Sequence, residues 1–118
     1  MSMVRAVRLY AAEDDCARFE DIEIPFPSGD PPPGSTSLSQ PMPAAAVLFA
    51  RAPAGSHGEQ PESQRQLAVG VSGTVEITAS GEARTFGPGD VLLIEDTEGV
   101  GHSSRTSGFT AAVIVLDS

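Results

Sequence analysis

The sequence predicts a small all-β protein, a sandwich or barrel of short antiparallel strands. Three observations carry the prediction. Between Arg65 and His102 the apolar runs, such as Leu67-Ala68-Val69 and Val91-Leu92-Leu93-Ile94, are short and are cut repeatedly by glycine-bearing turns, the pattern of a chain that doubles back in a sheet. No stretch repeats its apolar residues at helical spacing. The chain has 118 residues with 12 glycines and 10 prolines, enough for one core and many turns and too few for a second core.

Taken in order, Val4 to Tyr10 reads as a first strand and Phe19 to Ile24 as a second, with Ile22 and Ile24 alternating with the acids Asp21 and Glu23. Glu13-Asp14-Asp15 is the polar turn between them. Pro25-Phe26-Pro27 stops the second strand, because proline has no amide hydrogen for a ladder. Residues 28–43 are rich in proline, serine and glycine and predict an irregular surface segment, either a strap over an edge, a lid or a loose linker. Ala44 to Ala50 is a strand, and Ala52 to Glu62 a polar loop or distorted strand that carries His57. Arg65 to Val71 is expected to turn at Ser72-Gly73 and return as Thr74 to Thr78. A second turn at Ser80-Gly81 leads to Ala83 to Phe86, then Gly87 to Asp90, where Asp90 bonds its own turn backbone. Val91 to Ile94 ends in an acidic turn, Glu95 to Glu98, expected to be a solvated rim. Phe109 to Leu116 is apolar on both faces and is therefore expected to be central in the sheet.

Composition narrows the partners. The net charge is −9, from seven arginines and no lysine against 16 acids. Nucleic acid and anionic membrane are excluded as partners, since either requires a basic face. A single cysteine, Cys16, cannot form an internal disulfide, which together with the lack of a secretory pattern at Met1 to Arg5 predicts a reducing, cytoplasmic setting. No apolar run reaches membrane-spanning length.

From residue 44 to 116 the chain resembles the cupin superfamily, small jelly-roll (double-stranded β-helix) barrels. The resemblance rests on Phe86-Gly87-Pro88-Gly89-Asp90, then Glu95 in the family's proline slot, then Gly99 and His102 with the family's gap between glycine and histidine. It places His102 on the metal-binding histidine of the second family motif. Counting back from Gly73 along the first motif puts Gln66 in the glutamate slot and, with a gap of three, Gln60 and Glu62 in the two histidine slots; with the family's other gap, of four, those slots fall on Glu59 and Pro61. It is similar in particular to small bacterial cupins of unassigned function. The implied organisation is one domain over 1–118, with residues 1–43 as amino-terminal strands and strap and 44–118 as the barrel.

The residues in those slots change the chemistry that the resemblance implies. A carboxamide is a poor ligand beside an imidazole, so His102 and Glu62 with two glutamines fall short of the two-histidine, one-carboxylate set that holds iron. No cofactor is expected, and a divalent metal only if His57 swings in beside His102. His102 is the candidate for proton transfer, its reference pKa of about 6.5 placing both forms within reach at neutral pH, and Glu62 is the complementary acid or base. Gln60 and Gln66 are candidates for hydrogen bonds to a substrate carbonyl or hydroxyl. Arg51, on the same face as Phe49, is expected to reach the pocket and meet a substrate carboxylate or Glu62. Gln66, Ala68 and Gly70 share one face, and their small members leave room for a small organic ligand. The same residues would alternatively make room for Phe49 or Phe109.

Three functions remain open from the residues. The first is an isomerase, cyclase or lyase acting by acid-base chemistry, the second a cupin that binds a small ligand without transforming it, and the third a metal-dependent dioxygenase or decarboxylase. Leu67, Val69 and Val71 form an apolar outer face that needs a cover, either the amino-terminal strands or the partner subunit of a homodimer.

Overall fold

The computed structural model describes residues 3–117, so the expectations for residues 1, 2 and 118 lie outside it. The described residues form seven strands and no helix: β1 (Met3–Ala11), β2 (Ala17–Pro25), β3 (Ala44–Gln60), β4 (Gln66–Ala79), β5 (Glu82–Phe86), β6 (Val91–Glu95) and β7 (His102–Leu116). They make one curled sheet in the order β2-β1-β6-β4-β7-β3, with β5 also on β4. The all-β expectation therefore holds. One pairing, β1 with β6, is parallel, and the sheet's edges are not joined.

β4 organises the curl. Its first residues, Gln66 to Val69, pair with β6, and its last, Val75 to Ala79, pair with β5 on the same side. On its other side β7 runs the whole length. No turn forms at Ser72-Gly73, where the sequence predicts one. The strand continues through two irregularities, between Gly70 and Ser72 and between Thr74 and Val75. Gly73, at a φ of 72°, lies so close to Gly108 that a Cβ would overlap the Gly108 carbonyl. The glycine that reads as a turn is instead a bulge where two strands nearly touch. A true hairpin does form at Ser80 and Gly81, whose φ values of 50° and 79° fit a two-residue turn.

The core lies between the curled layers. Leu9, Ala17, Val75, Ile77, Ala79, Phe86, Leu92 and Ile94 are buried together, with Val7, Phe19, Ala68 and Phe109 packed against them. Leu9 is wholly buried; trimming it to alanine would cost about 2–5 kcal/mol. The central position expected for Phe109 to Leu116 is confirmed, with β4 on one side of β7 and β3 on the other. β3 is longer than predicted, running through the segment 52–60 that reads as a loop, and every one of its residues is exposed. No helix of the described residues is long and apolar enough to cross a membrane.

Candidate functional site

The site forms where the turn after β6 meets the start of β7. Alternation along β6 sends Leu92 and Ile94 into the core and continues one residue past the strand to Asp96. Asp96 is completely buried, not part of a solvated rim, and His102 is 4% exposed. The intervening turn is compressed: Gly99 and Gly101, both at a φ of 77°, lie against the backbone of Asp15 and of Gln60 and Pro61, where a Cβ would overlap main-chain atoms. The Val100 amide donates to the Asp15 carbonyl at 2.8 Å. Pinned from both sides, the turn delivers His102 opposite Gln60 in the β3–β7 register.

Asp96 holds two groups at once. Its carbonyl accepts the Glu62 amide at 3.0 Å, and its Oδ2 lies 2.6 Å from His102 Nδ1. An ionised carboxylate offers only acceptors, so Nδ1–H donates and Nε2 is left as the basic nitrogen. Nε2 lies 3.8 Å from Glu62 Oε1, beyond direct hydrogen bonding and within reach of a single intervening atom. The other carboxylate oxygen, Oδ1, is buried with no hydrogen-bond partner. His57 stands edge-on to His102 with ring centroids 5.8 Å apart; its Nδ1–H donates to its neighbour's carbonyl, Gly58 O, at 2.8 Å.

These groups face a cavity of about 160 Å³. With ~30 Å³ per water as the measure, it takes a molecule of only a few heavy atoms. Its polar lining includes His57, Glu62, Gln66, His102 and Ser104, and its apolar walls come from residues such as Ala68, Leu92 and Val113. Gly70 lines it too, but its lack of a side chain serves the backbone as well as the space. A Cβ there would overlap the Gly87 carbonyl, and Gly70 exchanges backbone hydrogen bonds with Gly89 and Asp90. Asp90 also accepts the Gly87 amide at 2.8 Å, the turn-closing role expected of it. A larger, open groove of about 740 Å³ between the β1–β2 hairpin and β5 contains no histidine; its Arg84 is engaged with Asp21 and Glu82.

Of the sequence candidates, His102, Glu62, Gln66 and His57 therefore meet around one cavity. Gln60 is exposed and contributes its main chain beside His102. Phe49 and Arg51 do not line the cavity. Phe49 pairs with Ala112, and Ala50 with Ala111, which does line it; Phe49 and Arg51 thus share the outward face, and Phe49 is 71% exposed. The sequence reading missed Asp96 and Ser104. Asp96 was within reach of the β6 alternation carried one residue further.

The donors do not suit the metal that the family resemblance implies. His102 keeps Nε2 for a ligand, since its Nδ1 is on Asp96, but Gln60 is exposed, Gln66 offers only an amide, and His57 meets His102 ring-edge to ring-face. No group of three or more His, Cys, Asp or Glu among the described residues is arranged to hold a metal ion.

On the outer side of the same turn, Glu95 bridges Arg8 and Arg65. Burial works to raise the Glu95 carboxyl, and the hydrogen bonds from Arg65 and Arg8 outweigh it, so its pKa lies below the usual 4.5. Arg8 is raised in turn, chiefly by its hydrogen bond to Glu95.

No protein-family model and no curated protein matches the chain. Solved structures do resemble it. A protein of unknown function from Rhizobium leguminosarum bv. viciae aligns at 18% identity and a TM-score of 0.49, over 61% of this chain and 69% of its own. A cupin 2 conserved barrel domain protein from Salinispora arenicola aligns at 20% identity and a TM-score of 0.47, over 75% and 71%. The Cnp3 cupin domain of Schizosaccharomyces pombe aligns at 14% identity and a TM-score of 0.48, over 99% and 86%.

Proposed function

We propose that this chain is an enzyme that moves a proton on a small organic molecule, by isomerisation, cyclisation or a lyase step, without a strongly held metal. The observation that carries the reading is the Asp96–His102–Glu62 cluster, in which Nδ1 is tied to a buried carboxylate while Nε2 faces a carboxylate across 3.8 Å. His102 Nε2 takes a proton from a carbon beside a carbonyl, and the electron pair moves into an enolate. The Gln66 amide donates to the enolate oxygen. Asp96 stabilises the imidazolium that forms. On a substrate with a β,γ double bond, the His102 imidazolium hands that proton, directly or by way of the Glu62 carboxylate, to the γ-carbon as the enolate's electron pair re-forms the carbonyl and the double bond moves into conjugation, which completes an isomerisation; expulsion of a β-leaving group, which departs with the electron pair, instead completes an elimination.

A second reading, a pocket that binds a small ligand and leaves it unchanged, draws on the cavity's predominantly apolar wall. The two separate in deuterated water. With a panel of small carbonyl compounds, the enzyme reading expects carbon-bound hydrogen to exchange, seen by NMR, and His102→Ala to slow it by about 10²-fold or more with the sheet signal of circular dichroism intact. Compounds that raise the melting temperature and never exchange would establish the binding reading and remove the enzyme.

A further inference from the structure

Resting on the proton-transfer reading above, we infer that the cavity takes uncharged carbonyl compounds and rejects carboxylates and phosphates, with Glu62 and Asp90 as the residues that set this selection. The chain has no lysine, so apart from two histidines its side-chain cations are seven arginines. All seven lie among the described residues, and none lines the cavity. Arg8 and Arg65 are engaged with Glu95 on the outer side of the sheet, Arg18 with Asp14 and Arg105 with Glu76. Arg5 and Arg84 line the separate open groove beside the β1–β2 hairpin. Arg51, which the sequence offers as the partner of a substrate carboxylate, sits opposite Thr110 on the outward face.

Carboxylates, by contrast, stand at both ends of the cavity. β6 runs along it from Asp90, one residue before the strand, to Asp96, one residue after it. Those six steps span ~20 Å. At the first end Asp90 lines the space directly. At the other Glu62 lines it beside His102, and Asp96 is buried behind the ring. Three carboxylates thus face two imidazoles, and the balance is negative even with both rings protonated.

A bound anion would leave water and stand near like charge with no guanidinium or ammonium to pair it. Both steps are unfavourable, since an unpaired charge is costly to desolvate and like charges repel far more strongly in a sheltered pocket than in water. A neutral carbonyl compound meets neither penalty. Ala68, Leu92 and Val113 offer its body apolar contact, and Gln66 offers its oxygen a hydrogen bond. The volume of about 160 Å³ admits roughly six heavy atoms. Selection here works by repulsion at the ends of the cavity, not by a dedicated partner for the substrate.

Pyruvamide and pyruvate form the test pair. They match in size and in the ketone that activates their methyl hydrogens, and differ by an amide against a carboxylate. Each is titrated at neutral pH into the nitrogen-15-labelled full chain, where the amide shifts of His57, Gln66 and Ser104 report the cavity separately from any binding near Arg5 and Arg84. Pyruvamide is expected to bind in the cavity at least about 30-fold more tightly than pyruvate. Asp90→Asn and Glu62→Gln each remove one charge while keeping an acceptor, and each should narrow that ratio by about 3-fold or more. The Asn carbonyl can still accept the Gly87 amide that Asp90 accepts, so the turn is retained. Binding is read without turnover, which separates this outcome from that of the enzyme reading. Pyruvamide that binds and never exchanges its methyl hydrogens in deuterated water removes the enzyme and still supports the charge selection. Pyruvate bound in the cavity as tightly as pyruvamide, a ratio that neither variant changes, or cavity resonances that answer to neither compound would each overturn it.

Discussion

Glu95 and Asp96 are adjacent in the chain, yet strand alternation turns the first outward and the second inward. Outside, Glu95 keeps 18% of its side chain exposed and is shared by Arg8 and Arg65, which join β1 and the start of β4 to the end of β6. Arg8 is further placed over the Tyr10 ring, 4.3 Å from its centre. Every charge there has a partner, and water reaches the cluster's margin. Inside, Asp96 is fully buried, has one imidazole on Oδ2, and leaves Oδ1 without a partner. An unsatisfied buried acceptor costs about 1–3 kcal/mol. The outer cluster is what a chain builds to hold strands together. The inner one gives up stability to fix the orientation of a ring at a cavity, the usual mark of a site shaped for chemistry.

The largest expected effect comes from breaking the inner side of this pair. Asp96→Asn keeps the volume and a hydrogen bond to His102 but removes the obligatory acceptor. The amide can donate to Nδ1, which moves the ring proton to Nε2 and takes the base out of the cavity. Proton exchange on substrate should fall by about 10²-fold or more, and the nitrogen chemical shifts of His102 should report the changed tautomer. Asp96 is a positioning residue in this reading, so an Asn variant with the original tautomer and rate would remove it from the mechanism.

The outer side should answer differently. Glu95→Gln leaves two guanidiniums that water can reach, and stability should fall by about 1–2 kcal/mol with turnover unchanged. The pH dependence follows from the same group. Its folded-state pKa is below 4.5, so its contribution is complete above 4.5 and is lost as pH falls through the lower folded-state value. Denaturation curves of the two proteins should therefore differ at neutral pH and converge at the acid end of that window. Curves that stay parallel throughout would show that the Arg8–Glu95–Arg65 bridge contributes nothing.

How much of this was legible varies with what each position depends on. The strands, the Ser80-Gly81 hairpin and the central strand of Phe109 to Leu116 were readable because they rest on local periodicity and turn chemistry. Gly73 was not, since a glycine with positive φ looks alike in a turn and in a bulge, and only Gly108 on another strand decides. Phe49 and Arg51 were assigned to the wrong face for a related reason: residues 44–50 are apolar on both faces, and only the register with β7 says which is inward. His102 and Glu62 stood out by type. Asp96 hid among acids, because its burial is set by a strand that the sequence ends one residue earlier.

The smallest effect tests whether exposure, and not the bond itself, separates such clusters. Arg105 donates to Glu76 at 2.9 Å across β4 and β7, an ordinary hydrogen-bond length. Its side chain, though, is 73% exposed, and that of Glu76 is 38%. Water competes for both ends, and ordering two long side chains offsets most of the attraction. Arg105→Ala should accordingly change stability by less than about 0.5 kcal/mol, and added salt should not alter the difference measurably. A loss as large as that of Glu95→Gln would mean that a short bond, not its shelter from water, sets the value of a charge pair in this sheet.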